Sequence, residues 1–253
     1  MKASLIIIGI LCSIAGLAQP YELAAPLLRY QSIFIENETK VSMAFDMQGA
    51  SIRYTLNGDE PNEKSNKYRS PIVLHQHKTV VKAKAFAKGY KPSATVTQTF
   101  YPTGYRISSI TTSMPNEKYN GLPQLLTDNL SGGSNHSNGS WLGYNSDSVV
   151  VEVSLSSPQQ LSTVMLHVLF NQPAWIFTPE KIRIYNQQQQ CIAEKTFAVE
   201  QQKTAVAEGI EVALPTALQQ QLRIVIYPLQ QLPEWHDGKG QKAWFFIDEI
   251  KLY

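Results

Sequence analysis

The chain has 253 residues and a formal charge of +2, with 22 Lys and Arg against 20 Asp and Glu. That length exceeds one typical domain, and two is the natural expectation. Near-neutral charge, with no basic run or Lys/Arg stripe, argues against nucleic acid or an anionic membrane surface as partner.

The N-terminus has the form of an export leader. Lys2 precedes the apolar run "ASLIIIGILCSIAGL", and Gly16 and Ala18 place small residues at −3 and −1 of a cut before Gln19. A membrane span needs about 20 apolar residues, and Pro20 with polar sequence follows too soon. Cys12 follows Leu11, whereas lipid attachment wants a small residue there. Residues 1–18 are therefore expected to be a cleaved signal peptide. The mature chain would be periplasmic, cell-surface or secreted, without membrane insertion. Cys191 is then the one cysteine left, so no internal disulfide is expected.

Strand periodicity dominates the chain beyond the leader. Val41, Met43 and Phe45 alternate with other residues, as do Ile52, Tyr54 and Leu56. "TVVKAKAFA" (79–87) and "SATVTQTF" (93–100) repeat the period, with turn signals at Asn57-Gly58 and Lys88-Gly89. Short strands at this spacing predict a small antiparallel sandwich over residues 20–101. Asp59 and Glu60 raise the question of acid–base chemistry. Neighbours on extended backbone point to opposite sides, whereas glycosidase carboxylates face one bond from different elements. The pair reads as turn residues.

The segment "YPTGYRISSITTSMPNEKYNGLP" is rich in Pro, Gly, Ser and Thr and reads as a linker running into the next entry strand. A second set of strands is expected at 148–155, 161–170, 180–185, 209–214, 222–228 and 242–253. The tract Gln187 to Gln190 reads as a solvated hairpin tip. All four tryptophans fall in this half, a larger sandwich over 105–253. The expected fold class is thus all-β, with two tandem β-sandwiches.

Nucleophilic chemistry finds little support. There is no Gly-x-Ser-x-Gly elbow, and Cys191 has no histidine close by in sequence. His75 and His77 share a strand face but lack a third metal ligand, so they read as surface residues. The loop 127–140 is richer, with oxygen donors at Asp128, Asn129, Ser131, Ser134 and Asn138 among glycines, as calcium wants. A cation-free loop held by Asx-turns is the alternative.

The aromatic residues divide by context. Trp141 and Trp244 lie in strand-like apolar sequence and read as core, while Trp175, before Ile-Phe-x-Pro, could be core or surface. Trp235 and His236 lie in "PEWHDGKG", a polar, glycine-rich loop tip. A sugar site needs an aromatic face ringed by hydrogen-bonding groups. Trp235, His236, Asp237, Lys239, Tyr144, Asn145 and Trp175 could supply them. Ordinary loop packing is the competing reading.

Two resemblances sharpen these expectations. "IRYTLNGDEPNEKSNKYRSPIVL" with "TVVKAKAFAKGYKPSATVTQTF" resembles the small sandwich at the C-terminus of bacterial chitobiases and β-hexosaminidases, of immunoglobulin or fibronectin-III type. That module carries no catalytic residues in such enzymes. "LTDNLSGGSNHSNGSWLGY", "PAWIFTPEKIRIY" and "LPEWHDGKGQKAWFFIDEIKLY" resemble the discoidin-like (coagulation factor 5/8 type C) jelly-roll module. They are similar to versions appended to family 20 glycoside hydrolases of gut-type Bacteroidetes. This second resemblance implies a structural calcium ion held by Asp128 and Glu249, with Ser131 nearby. It also implies a glycan partner of terminal galactose or N-acetylhexosamine type. The catalytic barrel of family 20 enzymes needs about 250 residues, and two sandwiches already fill this chain. The expectation is a secreted, non-catalytic carbohydrate-binding protein, accessory to glycan degradation. The rivals are a structural or interaction subunit partnering a glycosidase or surface protein, and a detached hexosaminidase fragment inactive alone.

Overall fold

The computed structural model describes residues 21–201 and 204–253. The expected leader lies outside the described residues. Within them the regular structure is β-strand apart from three short 3-10 turns.

The first sandwich is built from eight short strands: β1 (Leu27–Arg29), β2 (Phe34–Ile35), β3 (Glu38–Ala44), β4 (Ser51–Thr55), β5 (Asn66–Lys67), β6 (Ile72–His75), β7 (Thr79–Phe86) and β8 (Val96–Pro102). One sheet has the order β1-β3-β6 and the other β2-β8-β7-β4-β5. Alternation decides which side faces in. In β7 Thr79, Val81, Ala83 and Ala85 are buried and their neighbours are not, and in β3 Thr39, Val41 and Met43 are buried. The turn after β4 holds Asp59 and Glu60 as its polar rim. Asp59 Oδ2 accepts from Asn57 Nδ2 at 2.7 Å, while Glu60 Oε1 faces Lys84 Nζ at 3.1 Å and the Thr95 hydroxyl. The two carboxylates serve different partners, as their adjacency predicts.

The second sandwich comprises β9 (Ile107–Thr112), β10 (Leu142–Tyr144), β11 (Val149–Phe170), β12 (Lys181–Asn186), β13 (Cys191–Thr196), β14 (Val206–Tyr227) and β15 (Phe245–Leu252). The segments expected as separate strands at 148–155 and 161–170 are one strand, β11. Those at 209–214 and 222–228 are likewise one, β14. These two pair along their lengths, with register shifts between Ser154 and Gln159 and between Leu161 and Thr163. The first half of β11 pairs with β9 and the second half with β15. A long hairpin therefore crosses from one layer to the other at its irregular middle, which is how sandwich corners are commonly turned. Gln189, at φ 60, closes the glutamine hairpin between β12 and β13.

Burial along β11 changes at the same point. Val149, Val151, Val153 and Leu155 alternate with more exposed neighbours, but every residue from Val164 to Phe170 is buried. A strand buried on both faces needs a cover on each. Here one face meets the core of the second sandwich, and Met165 on the other joins the core of the first, with Phe34 and Tyr101. Further ties bind the halves: the Tyr101 hydroxyl accepts from Gly209 N at 2.9 Å, and the Tyr253 hydroxyl donates to Pro102 O at 2.9 Å. Gly104, at φ 67, lets the connection pass against the last strand, since a Cβ there would stand 2.4 Å from Leu252 O.

Candidate functional site

One end of the second sandwich carries two loops that fold on each other. After β11, a bridge between Asn171 and Ile176 closes a tight loop around the 3-10 turn Gln172–Ala174, and Trp175 takes a left-handed φ of 65. The loop 229–243 lies against it. The His236 Nε2–H donates to Gln172 O at 2.8 Å, and Nδ1 accepts from Gly238 N at 3.0 Å, which fixes the neutral Nε2–H tautomer. Gly238 packs flat on the Trp175 indole, where a Cβ would come within 2.6 Å of Cζ2. The His236 ring meets Trp175 edge-on at 6.1 Å and Phe177 at 5.3 Å, and Trp235 leans on Phe177 at 6.1 Å.

Two large aromatic side chains are left facing solvent, Trp235 at 43% and Trp175 at 37% exposure. Each is braced from behind by a ring or a glycine, so its face is held still. Asp237 and Lys239 are exposed on the same loop, Lys239 at 3.5 Å from Glu234. Asn145 donates from Nδ2 to Ala243 O at 3.0 Å and so pins this loop to the β10 end. Beside it lies a second ring cluster that sequence patterning does not single out. Trp244, expected in the core, is only half-buried and meets Tyr119 edge-on at 5.2 Å, with His136 at 5.8 Å from Tyr119.

Tyr144 does not belong to this surface. It is 1% exposed, in the sandwich core, with its hydroxyl 2.8 Å from the Thr112 hydroxyl. Strand β10 pairs with β15 and is buried at all three of its positions. Burial chiefly pushes the Tyr144 phenol up to about 12, against the Thr112 hydrogen bond. An unfolded tyrosine ionises near pH 10, about two pH units lower. In the window between, the unfolded state holds fewer protons than the folded one, so stability falls as pH rises. The expected slope is about 1.4 kcal/mol per pH unit from this tyrosine. Tyr101 and Tyr253, also raised chiefly by burial, add to it. Urea midpoints measured across this range check the sign, and Tyr144→Phe should flatten the slope.

The expected metal loop is present, and several of its side-chain oxygens accept N–H groups. Asp128 Oδ1 accepts from Leu130 N at 2.8 Å, and Ser131 Oγ accepts from Gly133 N at 3.3 Å. Glu249 Oε2 accepts from Asn129 N at 2.8 Å, and its Oε1 accepts from Lys251 Nζ at 2.9 Å. Partial desolvation raises the Asp128 carboxyl above its ordinary value, the Leu130 N–H opposing. Burial pushes Glu249 up to about 8, with the Lys251 ammonium opposing. Sequence patterning also misses Asp248. Its Oδ2 accepts from Gly132 N at 2.7 Å and its Oδ1 from His167 Nδ1 at 2.6 Å, both inside the fold. A bulge in β15 opposite the His167–Val168 step lets Asp248 and Glu249 reach the same loop. Asn129, at φ 64, ties that loop to the first sandwich: Ser32 Oγ donates to its carbonyl at 2.8 Å, and its Nδ2 donates to Glu36 Oε1 at 3.0 Å.

Residues 32–97 match the family model for the chitobiase/beta-hexosaminidase C-terminal domain. The first sandwich is similar to that family. Among solved structures, a fucose-binding module from Streptococcus pneumoniae is 14% identical with a TM-score of 0.40, over 60% of this chain and 93% of that one. The lectin domain of lectinolysin complexed with Lewis B antigen is 15% identical with a TM-score of 0.39, over 57% and 91%. The CBM32 of AlyQ in complex with 4,5-unsaturated mannuronic acid is 15% identical with a TM-score of 0.36, over 59% and 96%. No curated protein matches the chain.

Proposed function

We propose that this protein is an exported, non-catalytic carbohydrate-binding protein accessory to glycan degradation, with its ligand surface on the loops 171–177 and 229–243. The observation that carries the reading is the pair of braced, solvent-facing indoles, Trp235 and Trp175, beside the exposed Asp237 and Lys239. An aromatic face stacks on the C–H side of a sugar ring, and flanking charged groups bond its hydroxyls. The match of residues 32–97 to a module of chitin- and hexosamine-degrading enzymes supports the accessory role. The ligand class is a terminal galactose or N-acetylhexosamine.

The site is shallow and its polar groups few, so dissociation constants from roughly micromolar to millimolar are expected, about 4 to 8 kcal/mol. A glycan screen with wild type and Trp235→Ala tests the reading. Wild type should retain galactose- or N-acetylhexosamine-terminated glycans, and the variant should lose at least about tenfold in affinity, about 1.4 kcal/mol, with an unchanged melting curve. A glycan bound equally by both proteins would remove Trp235 from the site. Hydrolysis of aryl N-acetylhexosaminides by the pure protein would end the non-catalytic reading.

A further inference from the structure

Lys251 is 4% exposed, and an ammonium that deep in a fold needs explicit partners. Its Nζ donates to Glu249 Oε1 at 2.9 Å and to Asn129 Oδ1, and it lies 5.0 Å from the centroid of the Phe34 ring. A carboxyl oxygen, an amide oxygen and an aromatic face together suit one positive charge. The three come from three places: the last strand, the 128–134 loop and the first sandwich. Lys251 reaches Glu249 because residues two apart on a strand share a face.

This arrangement does not fit the calcium ion that the resemblance implies. Calcium takes six to eight oxygen ligands at about 2.3–2.6 Å. Here both Glu249 oxygens accept N–H groups, as do Asp128 Oδ1, Asn129 Oδ1 and Ser131 Oγ. An ammonium bonded to Glu249 Oε1 and Asn129 Oδ1 occupies two of these oxygens and repels a second cation. Among the described residues no group of three or more His, Cys, Asp or Glu is arranged to hold a metal ion.

We propose that the Lys251 ammonium is the resident cation of this loop, standing where a metal ion was expected and locking the loop, the last strand and the first sandwich together. The loop then needs no calcium. Its conformation is built into the chain.

Thermal unfolding of the intact mature protein decides the matter, followed with millimolar calcium, with EDTA and with neither. The three curves should coincide. A midpoint that rises with calcium or falls with the chelator overturns the proposal. Lys251→Met keeps the apolar stem and removes the charge, and its midpoint should fall by several degrees. A Lys251→Met protein melting with the wild type would also overturn it. The wild-type comparison needs no variant to fold, and neither readout involves a glycan.

Discussion

Trp141→Ala should cost about 3–5 kcal/mol of unfolding free energy, the range for truncating a large buried aromatic. Trp141 is 1% exposed and packs with Leu169, Ile176 and Phe246, the cluster under the loop end of the second sandwich. Its indole lies nearly parallel to the His167 ring, 16° apart at 6.0 Å, and Gly132 is fitted to its edge, where a Cβ would stand 2.2 Å from Nε1. Among the described residues the indole N–H has no hydrogen-bond partner. Truncation therefore forfeits transfer and packing but no hydrogen bond, and the loss reports the cavity. Trp141→Phe should cost much less, since a ring refills most of the space. Urea denaturation of the three proteins checks this, and a full-sized loss in Trp141→Phe would mean that the indole N–H does more than pack.

Asp248→Ala should be comparably severe, because removing one member of a buried pair strands the other at about 3–5 kcal/mol. Asp248 is 1% and His167 0% exposed. Since a carboxylate only accepts, His167 Nδ1 carries the proton toward Asp248 Oδ1, which leaves Nε2 buried without a partner among the described residues. Without the carboxylate neither ring nitrogen has a partner, and the Gly132 N–H loses its acceptor as well. Asp248→Asn restores one acceptor but turns an NH₂ toward the other donor, so it should fall short by about 1–3 kcal/mol. Because Trp141 and Asp248 both touch His167, the double alanine variant should lose less than the sum of the singles. Strict additivity would show that the indole and the pair are independent.

The sequence reveals strands where one face is solvated and conceals them where it is not. β3 and β7 follow the alternation, and their inward residues are the ones expected. β11 and β14 each carry a proline, Pro158 and Pro215, between the two segments expected as separate strands. In the fold these prolines sit at the register shifts where the long hairpin changes layer, a position that tolerates a missing N–H. The run "VMLHVLF" carries no period because its second face is covered too, Met165 by the first sandwich and Leu169 by the Trp141 cluster, both contacts between distant parts of the chain. The loop tip bearing Trp235 and His236 is legible from its glycines and charge. Trp175 stays ambiguous until Gly238 is seen to lie on it. Tyr144 misleads for a simple reason: it sits next to polar Asn145, yet its strand is covered on both faces. Asp248 is invisible to alternation, which sends it away from Glu249, because only a bulge brings adjacent carboxylates to one loop. Lys251 is hidden likewise, since its neighbours Asn129 and Phe34 come from far along the chain.

If the surface of Trp175 and Trp235 receives a sugar, the indole N–H resonances will register it. The chain has 4 tryptophans, few enough to assign by single substitution. Galactose and N-acetylhexosamines are titrated to millimolar concentration and the four signals followed. The Trp235 and Trp175 signals should move along saturable curves while Trp141, buried in the cluster behind them, stays in place. Four stationary indoles across the whole sugar panel, or saturable shifts that persist in the remaining signals of Trp235→Ala at unchanged affinity, would contradict the account.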